Sequence, residues 1–154
     1  MTEMESVIPY LSVHDAAAAL AFYVEAFGAV EDERWTDDAG RVGHAQLSIG
    51  GAVLFLSDEY PEFGAVAPRS LGGTSVSLHL TVADADAAQA SAVAAGATED
   101  RPVTGEPDGR RSGWVVDPFG HRWNVSSVAT REQPEGRAGD FTINRSGKDA
   151  ADEG

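Results

Sequence analysis

Apolar residues alternate with other residues along two stretches of the chain. In VIPYLSV, Val7, Pro9, Leu11 and Val13 share one parity; in SVSLHLTV, Val76, Leu78, Leu80 and Val82 do so. A period of two predicts strands with one covered face. An aspartate follows each strand, Asp15 and Asp84, placed to accept amide hydrogens at the start of a helix. In the first predicted helix Ala16, Leu20, Tyr23 and Phe27 form an apolar stripe, and Gly28 and Gly96 mark the two helix ends. Short alternating segments follow each helix: HAQLSIGG and AVLFLS after the first, GWVVDPFG and HRWNVSSV after the second.

These elements repeat. SVHDAAAALAFYVEAFGAVED (12–32) is echoed by TVADADAAQASAVAAGATED (81–100), with Val13 and Asp15 each 69 residues before their partners Val82 and Asp84. Two modules, 6–62 and 75–128, therefore share the order βαβββ. The Pro- and Gly-rich EYPEFGAVAPRSLGGTS (59–75) reads as the connection between them. The expected fold is α+β, one domain over 1–128, with a curved sheet or half-barrel and helices outside. Residues 129–154 lose periodicity and read as a polar extension, in which FTINR (141–145) is the piece expected to dock.

If the helices cover the apolar parity, the other parity lines a concave face. Ile8 and Tyr10, then His44, Gln46 and Ser48, then Val53, Phe55 and Ser57 fall there in the first module. Ser77, His79 and Thr81, with Arg122, Asn124 and Ser126, do so in the second. Trp35 lies on the first module's edge strand and Trp114 near a loop of the second; either ring could stack on an aromatic ligand. Trp123 falls on the covered face. His14 and His121 read as surface residues, and Arg110 and Arg111 as loop residues. A solvated sheet face would also be polar, so parity alone does not make this a cavity.

Composition narrows the chemistry. The 154 residues include no cysteine, which removes thiol nucleophiles and cysteine metal sites. Net charge is −14; residues 1–129 hold 19 acids and 7 arginines, so the acidity belongs to the repeated part. Such a surface argues against nucleic acid and anionic membranes and suits a cationic ligand. No secretory signal or membrane span is visible, and a cytoplasmic location is expected.

The repeated βαβββ plan, with FY in the first helix, AFGA at its end and DPFGHRW before the last strand, resembles the vicinal oxygen chelate superfamily. That group includes glyoxalase I, extradiol dioxygenases, fosfomycin-resistance enzymes and bleomycin-binding proteins. VIPYLSVHDAAAALAFYVEAFGA and LGGTSVSLHLTVADAD look like its PhnB-like branch. The resemblance implies up to four metal ligands, at the positions of Ile8, Phe55, Ser77 and Asn124. None of these is a histidine or a carboxylate, so no metal or other cofactor is expected there.

The sequence thus favours metal-independent binding of a small molecule, cationic or aromatic, by a homodimer, as in bleomycin-binding relatives. The ligand-binding candidates are Tyr10, Trp35, His44, Gln46, Phe55, Ser77, His79, Trp114, Arg122 and Asn124. The alternative is an enzyme: a lyase, isomerase or dioxygenase with a displaced metal on His44 and His79, completed by Glu59 or water, or a metal-free catalyst using one histidine as a base. A partner-binding subunit is a third reading.

Overall fold

A computed structural model describes residues 2–128; FTINR lies outside them. Each module forms a four-stranded mixed sheet. In the first, β1 (Tyr10–Val13), α1 (Ala16–Phe27), β2 (Val30–Thr36), β3 (Val42–Ile49) and β4 (Ala52–Asp58) give the strand order β1-β4-β3-β2. A 3₁₀ turn (Pro61–Phe63) and the short helix α2 (Pro68–Leu71) make the connection. In the second, β5 (Ser77–Val82), α3 (Ala85–Ala95), β6 (Thr98–Gly105), β7 (Arg111–Val116) and β8 (Arg122–Ser127) repeat the order as β5-β8-β7-β6. In each sheet the first strand pairs with the last in parallel, and the other pairs are antiparallel. The α+β class and the repeat are as expected; the two sheets are not hydrogen-bonded to each other and do not close into a barrel.

Local chemistry sets the helices. Asp15 accepts from the Ala18 amide and Asp84 from the Ala87 amide, both at 3.0 Å. Gly28, at φ +66°, ends α1 in the left-handed conformation that side-chain-bearing residues avoid. Asp58, at the end of β4, receives the Ala16 amide on one oxygen and the Val42 amide on the other, both at 2.7 Å. One carboxylate thereby fixes the start of α1 to the start of β3.

The core lies between helices and sheets. Val13, Leu20, Tyr23, Leu47, Leu56, Val115 and Val125 are its largest fully buried side chains. The helix α1 carries most of the aromatic packing: Phe27 and Tyr23 lie 4.9 and 5.5 Å from Trp123 of β8, and Phe22 lies 6.1 Å from Phe119. Trp123 is therefore a core residue. Gln89 of α3 is also buried; its amide donates to the Arg101 and Trp114 carbonyls, and its oxygen accepts the Val103 amide. It satisfies backbone groups where β6 slips register around Pro102.

Asp117 joins the modules. Only 3% exposed, it opens the DPFGH turn between β7 and β8. One oxygen takes the Phe119 and His121 amides at 2.9 and 3.0 Å, and the other takes the Tyr23 hydroxyl at 2.5 Å and the Trp123 indole N–H at 2.9 Å.

Three expectations change. First, β1 begins at Tyr10 rather than Val7, which is 94% exposed. Pro9 has no amide hydrogen, and the ladder starts with its carbonyl accepting from Phe55. Second, His121 is buried, because the DPFGH turn docks on the first module; its Nε2–H donates to the Ser12 carbonyl at 3.0 Å. Third, His14 is half-buried, its ring 5.3 Å from Phe119.

Burial, and then the charge of Asp117, push the Tyr23 hydroxyl well above its ordinary 10.0. In the unfolded chain Tyr23 ionises near its ordinary value, so its contribution to stability is complete below about pH 10 and fades as pH rises through the higher folded value. Chemical denaturation across pH 8–12 should show this alkaline loss. Tyr23→Phe should be less stable at pH 7 by about 1–3 kcal/mol and lose less stability on going alkaline.

Candidate functional site

A cleft of about 570 Å³ lies between the first module's sheet and the connecting segment. Its floor comes from Tyr10 and Ser12 of β1, Ser57 of β4 and Gly43 of β3. Trp35 and Asp37, from β2 and the turn after it, form one wall. Tyr60, Phe63 and Ala65 of the connection form the other.

A bulge creates the wall. Trp35 pairs with His44 while Thr36 pairs with Val42, so Gly43 is the extra residue. The bulge inverts parity: Val42 is buried in the core although His44, two residues on, faces the open side. The Trp35 ring lies directly on Gly43, where even a methyl group would overlap it. Trp35 is 61% exposed, leaving its other surface free.

Asp37 fixes the turn below the cleft. One oxygen accepts the Ala39 and Arg41 amides, both at 2.9 Å; the other accepts the Tyr60 hydroxyl at 2.9 Å and Arg41 Nε at 3.3 Å. Desolvation pushes this carboxyl up, but the hydrogen bonds from Arg41, Tyr60 and Ala39 together hold it below the usual carboxylate range. Arg41 stacks 3.9 Å from the Tyr60 ring centroid and donates to Glu62 at 2.7 Å. The connecting segment is thereby held against the sheet, with Tyr60 oriented as cleft wall.

Beside the cleft, Tyr10, His44 and Phe55 pack edge to face, with centroids 4.8–5.6 Å apart. The Tyr10 hydroxyl is 2.8 Å from His44 Nδ1, and His44 Nε2 is 3.1 Å from Glu33. Gln46 lies further along β3, near Asp32, which also accepts from Ser48. Desolvation pushes the Tyr10 hydroxyl up, so it keeps its proton at neutral pH.

The remaining predicted residues sit on the second sheet. His79 Nδ1 is 2.7 Å from Asn124 Oδ1, and Nε2 is 3.2 Å from the Thr81 hydroxyl. The Asn124 amide donates to Ser112 Oγ and the Gly113 carbonyl. Arg122 lies 4.7 Å from the Trp114 ring centroid and donates to Asp100. Ser77, at the exposed start of β5, pairs across the ladder with Arg122. Of the ten candidates, only Tyr10 and Trp35 line the cleft. Arg110 and Arg111 are each bonded to an aspartate, Asp108 and Asp86.

Parity alone could have found Ser12, which shares its face with Tyr10. Tyr60, Phe63 and Asp37 were hidden in segments that read as turn and connection.

Comparison with known proteins agrees with the fold. Residues 6–125 match the Glyoxalase/Bleomycin resistance protein/Dioxygenase superfamily. The chain is 45% identical over 120 residues to an uncharacterised protein of Mycobacterium bovis, covering 76% of this chain and 79% of that one. The X-ray structure of an Arabidopsis thaliana gene product superposes with a TM-score of 0.65 at 28% identity, covering 80% of this chain and 99% of that one. A PhnB protein from Bacillus cereus superposes with a TM-score of 0.62 at 18% identity, covering 80% and 100%, a likeness of fold alone.

The residues at the four family metal positions do not fit a metal ion. Ile8 and Phe55 offer hydrocarbon, Ser77 a neutral hydroxyl, and Asn124 has both amide ends hydrogen-bonded. Nor are His44 and His79 joined in a displaced site, since each bonds within its own sheet. Among the described residues, no group of three or more histidines and carboxylates is placed to hold a metal. Glu59 is used otherwise, accepting the Ala67 amide at 2.7 Å.

Replacing Gly43 by alanine should drive the Trp35 ring off its seat. With 5-fluorotryptophan incorporated at all three tryptophans, one fluorine resonance, assigned by Trp35→Phe, should move while the other two stay. The stability change should stay within about 1 kcal/mol, because the ring can swing into solvent.

Proposed function

Because this chain belongs to the glyoxalase/bleomycin resistance protein/dioxygenase superfamily, we propose that it binds a flat aromatic molecule, preferably a cationic one, in the first-module cleft without a bound metal. The observation that carries this reading is the cleft itself. Rings from Tyr10, Trp35, Tyr60 and Phe63 meet there with the Ser12 and Ser57 hydroxyls. Its volume of about 570 Å³ lies within the range of roughly 300–1,000 Å³ usual for small-molecule sites, which combine apolar walls with a few polar groups. Aromatic faces attract cations as well as rings. The net charge of −14 raises the local concentration of cations and lowers that of anions.

Sequestration needs no bond to be made or broken, and the residues at the family metal positions are consistent with that. A homodimer in the cytoplasm is part of the same reading. Exposed apolar residues such as Val7, Val76 and Phe63 are available for covering by a second copy.

Calorimetric titration in the presence of a chelator tests the proposal, with acridine orange as aromatic cation and fluorescein as aromatic anion. Saturable binding of acridine orange is expected, tighter than fluorescein and weakened about tenfold, or about 1.4 kcal/mol, by Trp35→Ala. Binding that requires an added divalent metal, or that is indifferent to Trp35→Ala, would overturn it.

A further inference from the structure

The hydrogen bonds running from Glu33 through His44 to Tyr10 have a defined direction. A carboxylate only accepts, so Glu33 requires the hydrogen on His44 Nε2, at 3.1 Å. In the neutral ring Nδ1 is then an acceptor, and the Tyr10 hydroxyl, 2.8 Å away, must donate to it. The other acceptor near that hydroxyl, the Gly43 carbonyl, is more distant at 3.3 Å. Tyr10 lines the cleft, and His44 is bonded to it from beside the cleft. With its proton directed at His44, Tyr10 has oxygen lone pairs left to accept a hydrogen from a bound molecule. A hydroxyl, a base and an orienting carboxylate, each within hydrogen-bond reach of the next, is the arrangement by which proteins activate O–H groups.

The second sheet lacks this order. Asn124 gives its amide hydrogens to Ser112 and Gly113, so its Oδ1 faces His79 and requires the hydrogen on Nδ1. His79 Nε2 then accepts from Thr81, and among the described residues no carboxylate is bonded to the ring.

We propose that Glu33, His44 and Tyr10 form a proton relay opening into the cleft, which removes the proton from a phenolic hydroxyl of the bound molecule. This rests on the cleft being the binding site. In the step, the ligand O–H bond breaks and its proton joins the Tyr10 oxygen, while the Tyr10 proton passes to His44 Nδ1. Tyr10 ends unchanged, the ligand is a phenolate, and the new imidazolium lies between Glu33 and Tyr10. The proton stays within the site, so the net charge of the complex is unaltered and no other reactant is needed.

A phenol suits the relay better than an aliphatic alcohol. Its ordinary pKa, about 10, is that of a free tyrosine side chain, a value from which desolvation pushes Tyr10 itself upward. Among the described residues, His44 is hydrogen-bonded to Glu33 from β2 and Tyr10 from β1 and packs on the uncharged Phe55 ring from β4. Glu33 is thus the charge that stabilises the imidazolium. Tyr10 is the group that would touch the ligand; His44 and Glu33 act through it.

The probe is 3-nitrotyramine, whose ammonium suits an acidic cleft and whose nitrophenolate absorbs visibly. Equilibrium dialysis measures bound dye, and absorbance at a pH below its free pKa measures the phenolate fraction per bound dye. The wild-type protein should raise that fraction above the free-dye value. Tyr10→Phe and His44→Gln should abolish the rise, since Gln bonds both neighbours but stores no proton; Glu33→Gln should reduce it. Dye bound as neutral phenol by the wild type would overturn the relay and leave the cleft reading standing. Acridine orange binding without 3-nitrotyramine binding would overturn the phenol assignment, and failure of both dyes would overturn cleft and relay together. Nitrogen-15 spectra of the ligand-free protein provide a separate arm: His44 should be the Nε2–H tautomer, and the Nδ1–H tautomer would overturn the relay without bearing on the cleft.

Discussion

The buried carboxylate of Asp117 holds the two halves of this molecule in one arrangement. An ionised group removed from water is costly unless donors replace its hydration. Here four donors do so: two amides of its own turn, one indole of its own sheet and one hydroxyl from the other module. The first three would be present in an isolated second module. The fourth requires α1, so the carboxylate is fully satisfied only when the modules are docked. The rings of Phe22, Phe27, Phe119 and Trp123 supply the apolar burial of that interface. Asp117 restricts how those rings meet, because a shifted packing would separate the Tyr23 hydroxyl from its acceptor.

Several other acids have the same kind of employment. Asp15 and Asp84 cap helices, Asp58 joins α1 to β3, Asp37 closes a turn, and Glu59 receives the amide preceding α2. Part of the negative charge that reads from composition as solubility or ligand steering therefore serves as backbone acceptors. For Asp37, against its desolvation, and for Glu59, the donated hydrogen bonds hold the carboxyl below its ordinary range, a contribution to stability present at neutral pH and lost as pH falls through the folded value.

The elements that follow local rules were legible in the sequence. Period-two strands, two aspartate caps, a glycine helix end and the 69-residue repeat all appear in the fold as read. Three kinds of feature were not legible. The bulge at Gly43 shifts parity by one residue, which no alternation pattern marks in advance, and it places Trp35 at the cleft. His121 sits in a turn that looks solvent-facing until the opposite module covers it. Tyr60 and Phe63 belong to a segment whose prolines and glycines signal a connection, and only its ties to Asp37 and Arg41 make it a wall. Eight of the ten candidates were expected on one concave face and the two tryptophans beside it; together they occupy two sheets, whose hydrogen bonds remain separate.

The separation of the two sheets bears on how such a protein can be redesigned. On the second sheet Asn124, His79, Arg122 and Trp114 are occupied with one another and with near neighbours. Substitutions there would strand polar groups before they created room. On the first sheet the cleft is bounded by a turn and a connecting segment, and these accept length and composition changes more readily than a strand does. A library confined to Trp35, Phe63, Ala65 and their neighbours would alter the shape of the opening while leaving the inter-module carboxylate and its aromatic packing untouched. Of two modules built on one plan, the first thus has a boundary open to change, while the polar groups of the second are committed to one another.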